Sequence, residues 1–99
     1  MKFSWDPSKA AINEQRHDGV SFNEAATVFQ DAYFVVLADD AHSYGEQRYW
    51  IIGESSQRRI LLVVHTERGD CTHLISARPA TQREVKVYEE EKHNSLYGR

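Results

Sequence analysis

Two arginines lie on apolar, strand-like runs of this chain, Arg48 in RYWIIG and Arg78 at the end of LISAR. A guanidinium binds two phosphate oxygens side by side and stabilises charge that grows at phosphorus. An imidazole trades protons near neutral pH, so a histidine beside such a pair can take the proton of a 2′-hydroxyl or protonate a departing 5′-oxygen. Five histidines are available, His17, His42, His65, His73 and His93. These residue types suit cleavage of a phosphodiester. RNA carries its own nucleophile, so the chemistry requires neither metal nor cofactor, and none is expected.

Each residue also has a plainer role. Arg78 can pair with a carboxylate such as Glu84 or satisfy carbonyls at a strand end, and from residue type alone that comes first. Arg48 fits a solvated edge as well as a binding role. His17, at a helix end, complements the helix dipole, worth about 0.5 kcal/mol. His65 and His73 read as structural or exposed strand histidines. His42 and His93 fall in a loop and a tail, where no chemistry is expected. Lys9, Asn13 and Arg16 recur at near-helical spacing, giving a solvated face or one wall of a groove. Tyr88 reads as a core or half-buried residue. Tyr49 and Trp50 can stack on bases, but RYWIIG is more simply a core strand. Asp39-Asp40 is a weak metal signal.

The elements that must position these residues follow from local pattern. Lys2–Trp5 is strand-like. Asp6-Pro7 starts a helix that continues through AAINEQRH and stops at Gly19. Ser21 and Glu24 form a capping-box pattern, and Phe22, Ala25, Ala26 and Phe29 give the second helix one apolar face, ending near Asp31. Tyr33–Leu37, Arg48–Gly53, Arg58–Thr66 and Cys71–Arg78 are strands joined by short polar connections, as in an antiparallel meander. Both parities of RILLVV are apolar, which predicts a central strand covered on both sides. Period-two alternation puts Arg48, Trp50 and Ile52 on one face. It puts Leu74, Ser76 and Arg78 on one face and His73, Ile75 and Ala77 on the other. Thr81 and Glu84 open the last helix with a second capping box.

The predicted class is α+β, in the order β-α-α-β-β-β-β-α: a twisted, largely antiparallel sheet with helices packed on one face, and a groove on the other. Residues 1–91 make one domain, and 92–99 form a tail without periodicity, mobile unless docked. The 99 residues carry a net charge of −3, which argues against an indiscriminate nucleic-acid binder. The single cysteine, Cys71, excludes an intramolecular disulfide. No apolar run reaches membrane-spanning length and MKFSWDPSK lacks a signal-peptide core, so no membrane contact is expected and the location expected is cytoplasmic.

Four stretches together resemble the BrnT family of type II toxins. They are Phe3-x-Trp5-Asp6-Pro7-x-Lys9 followed by Asn13; RHDGVSF at 16–22 running into EAATVF at 24–29; Glu46-Gln47-Arg48 with WIIG at 50–53; and ISARPAT at 75–81 with Glu84 and Tyr88. The resemblance covers about residues 3–88. It implies a small ribonuclease of RelE-like fold that cleaves RNA and arrests growth. It also implies a BrnA-like ribbon-helix-helix antitoxin as neutralising partner, with operator DNA reached only through that antitoxin and room for a dimer within the complex.

By position, the family's lysine-histidine pair falls on Arg16 and His17, and its two arginines fall on Arg48 and Arg78. The resemblance thus implies His17 as acid/base and Arg48 and Arg78 as catalytic phosphate-binding groups. Arg16, Lys9, His73 and Tyr88 are the expected RNA or phosphate contacts. Two departures stand out. KHGVSF appears here as RHDGVSF, and RIISAR as HLISAR. Arginine stays protonated and cannot act as a base near neutral pH. His73 exchanges a permanent charge for one that depends on pH. A toxin homologue that has lost catalysis but still binds an antitoxin in transcriptional autoregulation is the alternative reading.

Overall fold

The computed structural model describes residues 1–98. The elements are β1 Lys2–Ser4, α1 Pro7–Arg16, α2 Phe22–Thr27, β2 Val35–Ala38, β3 Arg48–Glu54, β4 Ile60–Arg68, β5 Cys71–Pro79 and α3 Gln82–Tyr97. Single 3-10 turns occupy Val28–Gln30 and Asp40–His42. The class and element order are those predicted.

Helix starts are set by side-chain acceptors. Asp6 accepts from the Ser8 amide at 2.9 Å ahead of Pro7, satisfying an amide with no intrahelical partner. Ser21 accepts from the Glu24 amide at 3.0 Å. The reciprocal half of that capping box does not form. Glu24 is buried and turns instead to Arg59 and to the Ser55 hydroxyl at 2.6 Å. At α3 both halves of the box are present between Thr81 and Glu84.

The sheet order is β1-β5-β4-β3-β2. Strands β2 to β5 form the expected meander, with β4 in the centre, while β1 pairs parallel with the start of β5. Beyond His73 the outer edge of β5 has no strand partner. Asn13 of α1 supplies one: its side-chain amide donates to the Ala77 carbonyl at 2.7 Å, and its oxygen accepts the Ala77 N–H at 3.0 Å. The same amide donates to the Val20 carbonyl at 3.1 Å.

Helices α1 and α2 cover one face of the sheet. Val20, Phe22, Ala25 and Val28 pack there on Ile51, Leu61, Val63, Leu74 and Ala77. The close approach of the Val28 turn to β3 requires Gly53, where an added Cβ would stand 2.9 Å from Val28 Cγ1.

Three expectations need correction. First, α3 leaves the face shared by the other helices. Tyr88 packs with Ile52 and Leu62 on the opposite face. Arg78 points to that face at the end of β5 and grips Glu84 in the first turn of α3, and Tyr88 follows one turn later. Second, residues 92–97 are not a tail. The helix runs to Tyr97, because no residue before Gly98 breaks it; Arg99 lies outside the described residues. Third, strict alternation fails in β5. A β-bulge shifts the register between Val64 and His65, leaving Ile75 as the extra residue. Leu74 therefore joins Ala77 in the helix-covered core, while His73, Ile75, Ser76 and Arg78 turn to the other face.

His65 is buried between Phe29 and Tyr49, and its Nδ1 has no partner among the described residues. Burial pushes its pKa below the ordinary value, against the opposing pull of Glu67.

Two stability predictions follow from these contacts. Asn13→Ala strands three buried backbone groups and should cost about 2–4 kcal/mol in urea unfolding. Acidification should erode stability through His65, because the unfolded chain takes the proton first. This contribution is intact above about pH 6.5 and shrinks as pH falls toward the folded pKa. Urea midpoints measured across that range should fall in wild type and fall less steeply in His65→Phe.

Candidate functional site

On the second face α3 covers only the end near Ile52 and Leu62. The uncovered part is a groove whose polar lining is Asp39, His42, Arg48, Ser76 and Arg78, with Trp50 in its wall. Period-two geometry on β3 aims Arg48 and Trp50 at it, as expected. On β5 it is the bulge that delivers Ser76 beside Ile75, and Arg78 follows two residues later.

The two arginines differ in their commitments. Arg78 makes a bidentate pair with Glu84, at 2.7 and 2.9 Å, and a longer bond to the Pro79 carbonyl at 3.3 Å. The structural partner named from sequence is therefore real. The Arg78 guanidinium holds the Glu84 carboxyl below the usual carboxylate range, against burial. Arg78 still shows 34% of its side chain to solvent. Arg48 is half-buried, and among the described residues its guanidinium has no hydrogen-bond or ion-pair partner. Its charge is felt by the Glu46 carboxylate, but with no direct bond to any group among the described residues this half-buried guanidinium can take an external anion.

Lys9, Arg16 and His17 line a second hollow, between α1 and β5, that shares Ile75 and Ser76 with the groove. The Asn13 bonds to Ala77 hold α1 there. His17 is the helix C-cap, its N–H bonding the Asn13 carbonyl at 2.9 Å, and the following Asp18 and Gly19 both take positive φ. The inserted Asp18 thus sits in the turn after α1, and its carbonyl accepts from Arg59 at 2.9 Å.

The remaining expected contacts separate. His73 lies on the groove face but further along β5, opposite Ser4, whose hydroxyl is 2.9 Å from His73 Nδ1. Burial, then the charge of Arg68, push its pKa down. Tyr88 is 2% exposed and donates to Asp31 at 2.6 Å. It belongs to the core under α3, where no RNA contact reaches it. Burial and the Asp31 carboxylate push its pKa well up.

The loop between β2 and β3 contributes groups that strand patterns did not flag. Asp39 is buried, accepts from Trp50 Nε1 at 2.9 Å, and faces His42 Nδ1 at 3.0 and 3.1 Å. Burial pushes the Asp39 carboxyl up, but these donors outweigh it and hold it below the usual range. The D-x-x-H spacing was visible in the sequence. Nothing local showed that it closes on a strand tryptophan. Among the described residues no group of three or more His, Cys, Asp or Glu side chains gathers as a metal site, and no helix is long and apolar enough to cross a membrane.

The profile of a family described as "Ribonuclease toxin, BrnT, of type II toxin-antitoxin system" matches residues 5–84. Among solved structures, the crystal structure of the Brucella abortus ribonuclease toxin BrnT superposes with a TM-score of 0.64 at 27% identity, covering 83% of this chain and 99% of that one. No curated protein matches the chain significantly.

Glu84 closes α3's cap and neutralises Arg78 together. Glu84→Gln should lower stability by about 1–2 kcal/mol at neutral pH. Since the folded pKa of Glu84 is depressed, this stability is present above about pH 4.3 and is lost as pH falls through the folded value. Wild type and Glu84→Gln should therefore converge in thermal midpoint on acidification.

Proposed function

The chain belongs to the BrnT family of ribonuclease toxins of type II toxin–antitoxin systems, and on that premise we propose that it is itself a ribonuclease working in the groove of Arg48 and Arg78. The observation that carries this is Arg48, a half-buried guanidinium without a partner among the described residues, on the same open face as Arg78. Two guanidiniums on one rigid sheet favour a phosphodiester over a single anionic side chain. They bind the scissile phosphate and offset the charge that grows on it in the transition state. No metal is needed for this, since the 2′-hydroxyl of RNA is the nucleophile.

Lys9 and Arg16, with His17 beside them, extend the cationic surface around the edge of β5, where the strand continues. His17 there exchanges protons at the flank of the groove. His73 contacts RNA at the far end of the same face. The net charge of −3 confines RNA binding to this local surface, with acidic groups elsewhere discouraging nonspecific association. A BrnA-like ribbon-helix-helix antitoxin in the cytoplasm neutralises the toxin and carries any operator contact.

Arg48→Ala should leave the thermal midpoint near wild type, as it breaks no internal bond, and should slow RNA cleavage by about 10²-fold or more. Growth arrest on induction should vanish with it. An RNA-cleavage assay on purified protein decides the matter. If wild type leaves RNA intact and does not slow growth, the chain is an antitoxin-binding homologue without catalysis.

A further inference from the structure

We propose that His42, oriented by Asp39, is a catalytic residue of the groove that takes the proton of the 2′-hydroxyl. This rests on the ribonuclease reading above and adds to it a residue in the loop between β2 and β3.

The orienting chain starts in the sheet. Trp50 shares the face of Arg48 two residues away and donates from Nε1 to Asp39 Oδ2 at 2.9 Å. The Asp39 N–H donates to the Arg48 carbonyl at 2.8 Å, extending the β2–β3 ladder by one bond. Ser43 bonds the Asp39 carbonyl at 2.7 Å and accepts from the Arg48 N–H at 2.9 Å. Asp39 is therefore fixed without help from His42. An ionised carboxylate only accepts, so the imidazole nitrogen facing it, Nδ1, carries hydrogen. In the neutral ring Nε2 is then the basic atom. The His42 side chain is 61% exposed and lines the same groove as Arg48 and Arg78. A pair this exposed adds little to stability, whereas a carboxylate that fixes the tautomer and orientation of a histidine is a recurrent device for proton transfer.

In the reaction, Nε2 accepts the 2′-hydroxyl proton as the 2′-oxygen forms its bond to phosphorus. The bond from phosphorus to the 5′-oxygen breaks, and that oxygen takes a proton from water. The products are a 2′,3′-cyclic phosphate and a 5′-hydroxyl, and His42 returns its proton to solvent. The charged groups around His42 are Asp39 and Asp40 on its own turn, Arg48 on β3 and Arg78 on β5, the last paired with Glu84. Asp39 acts as a positioning residue.

The experiment is single-turnover cleavage of RNA by the purified full chain and by His42→Ala, His42→Gln and Asp39→Asn, each with a thermal melt and an RNA-binding measurement. His42→Ala and His42→Gln should slow cleavage by about 10²- to 10⁴-fold, with unchanged melting and RNA affinity. The rise of rate with pH below the optimum should disappear in both, and added imidazole should partly restore His42→Ala. Asp39→Asn should show a smaller loss with that pH limb displaced. If wild type cuts RNA and both His42 variants keep its rate and pH dependence, His42 is not the base and the ribonuclease reading survives. Loss of rate without imidazole rescue, and with the pH limb intact, likewise overturns the role. If wild type cuts no RNA, both readings fall together.

Discussion

One side-chain amide stands in for a missing strand. β1 pairs with β5 only from Cys71 to His73, so the edge of β5 would otherwise expose unpaired backbone beside the buried core. Asn13 meets both backbone groups of Ala77 and also the Val20 carbonyl. Such buried groups are costly to leave unpaired. α1 otherwise docks through the partly buried Ala10: Asn13 is its only buried residue and Ile12 is about half exposed. This one amide therefore sets where α1 lies along β5, and with it the places of Lys9, Arg16 and His17. It also holds β5 next to the bulge at Ile75, which turns Ser76 to the groove.

Three carboxylates tie the remaining elements together. Glu24 joins α2 to Arg59 and Ser55 ahead of β4. Asp31 collects the amides of Tyr33 and Glu54 and the Tyr88 hydroxyl, so one side chain links the end of the second helix, β3 and α3. Burial raises its pKa, but the three donors more than offset that. Glu84 joins α3 to β5 through Arg78. Each is satisfied by several partners, the condition under which a buried charge is tolerated. Cations are consumed in the process: Arg59 and Arg68 are paired with Glu24 and Glu46 and serve the fold. Arg48 is left over. The groove's cationic character thus depends on which arginines the carboxylates have not claimed, and Arg78 belongs to both groups.

Element order, helix starts and strand runs were legible in the sequence because caps, turns and apolar periodicity act over a few residues. Asp6-Pro7, Ser21 and Thr81 start helices where their types said they would. The family motifs likewise pointed to Arg48, Arg78 and His17. Tertiary structure decided the rest. The bulge in β5 depends on how β4 pairs with it, so alternation within β5 alone misassigned His73, Leu74 and Ile75. The face chosen by α3 depends on a bond between Arg78 and Glu84 across the Pro79–Thr81 corner. Tyr88 reads as core or half-buried from its residue type, and it is buried; that its hydroxyl is bound by Asp31, 57 residues away, which takes it out of reach as an RNA contact, was not legible. The turn from Asp39 to His42 brings the two side chains together, and Trp50 and Arg48 of β3, with Ser43, fix the Asp39 end of the pair. Local pattern determines which elements form. Side chains far apart in sequence decide how they face one another, and the groove exists only at that second level.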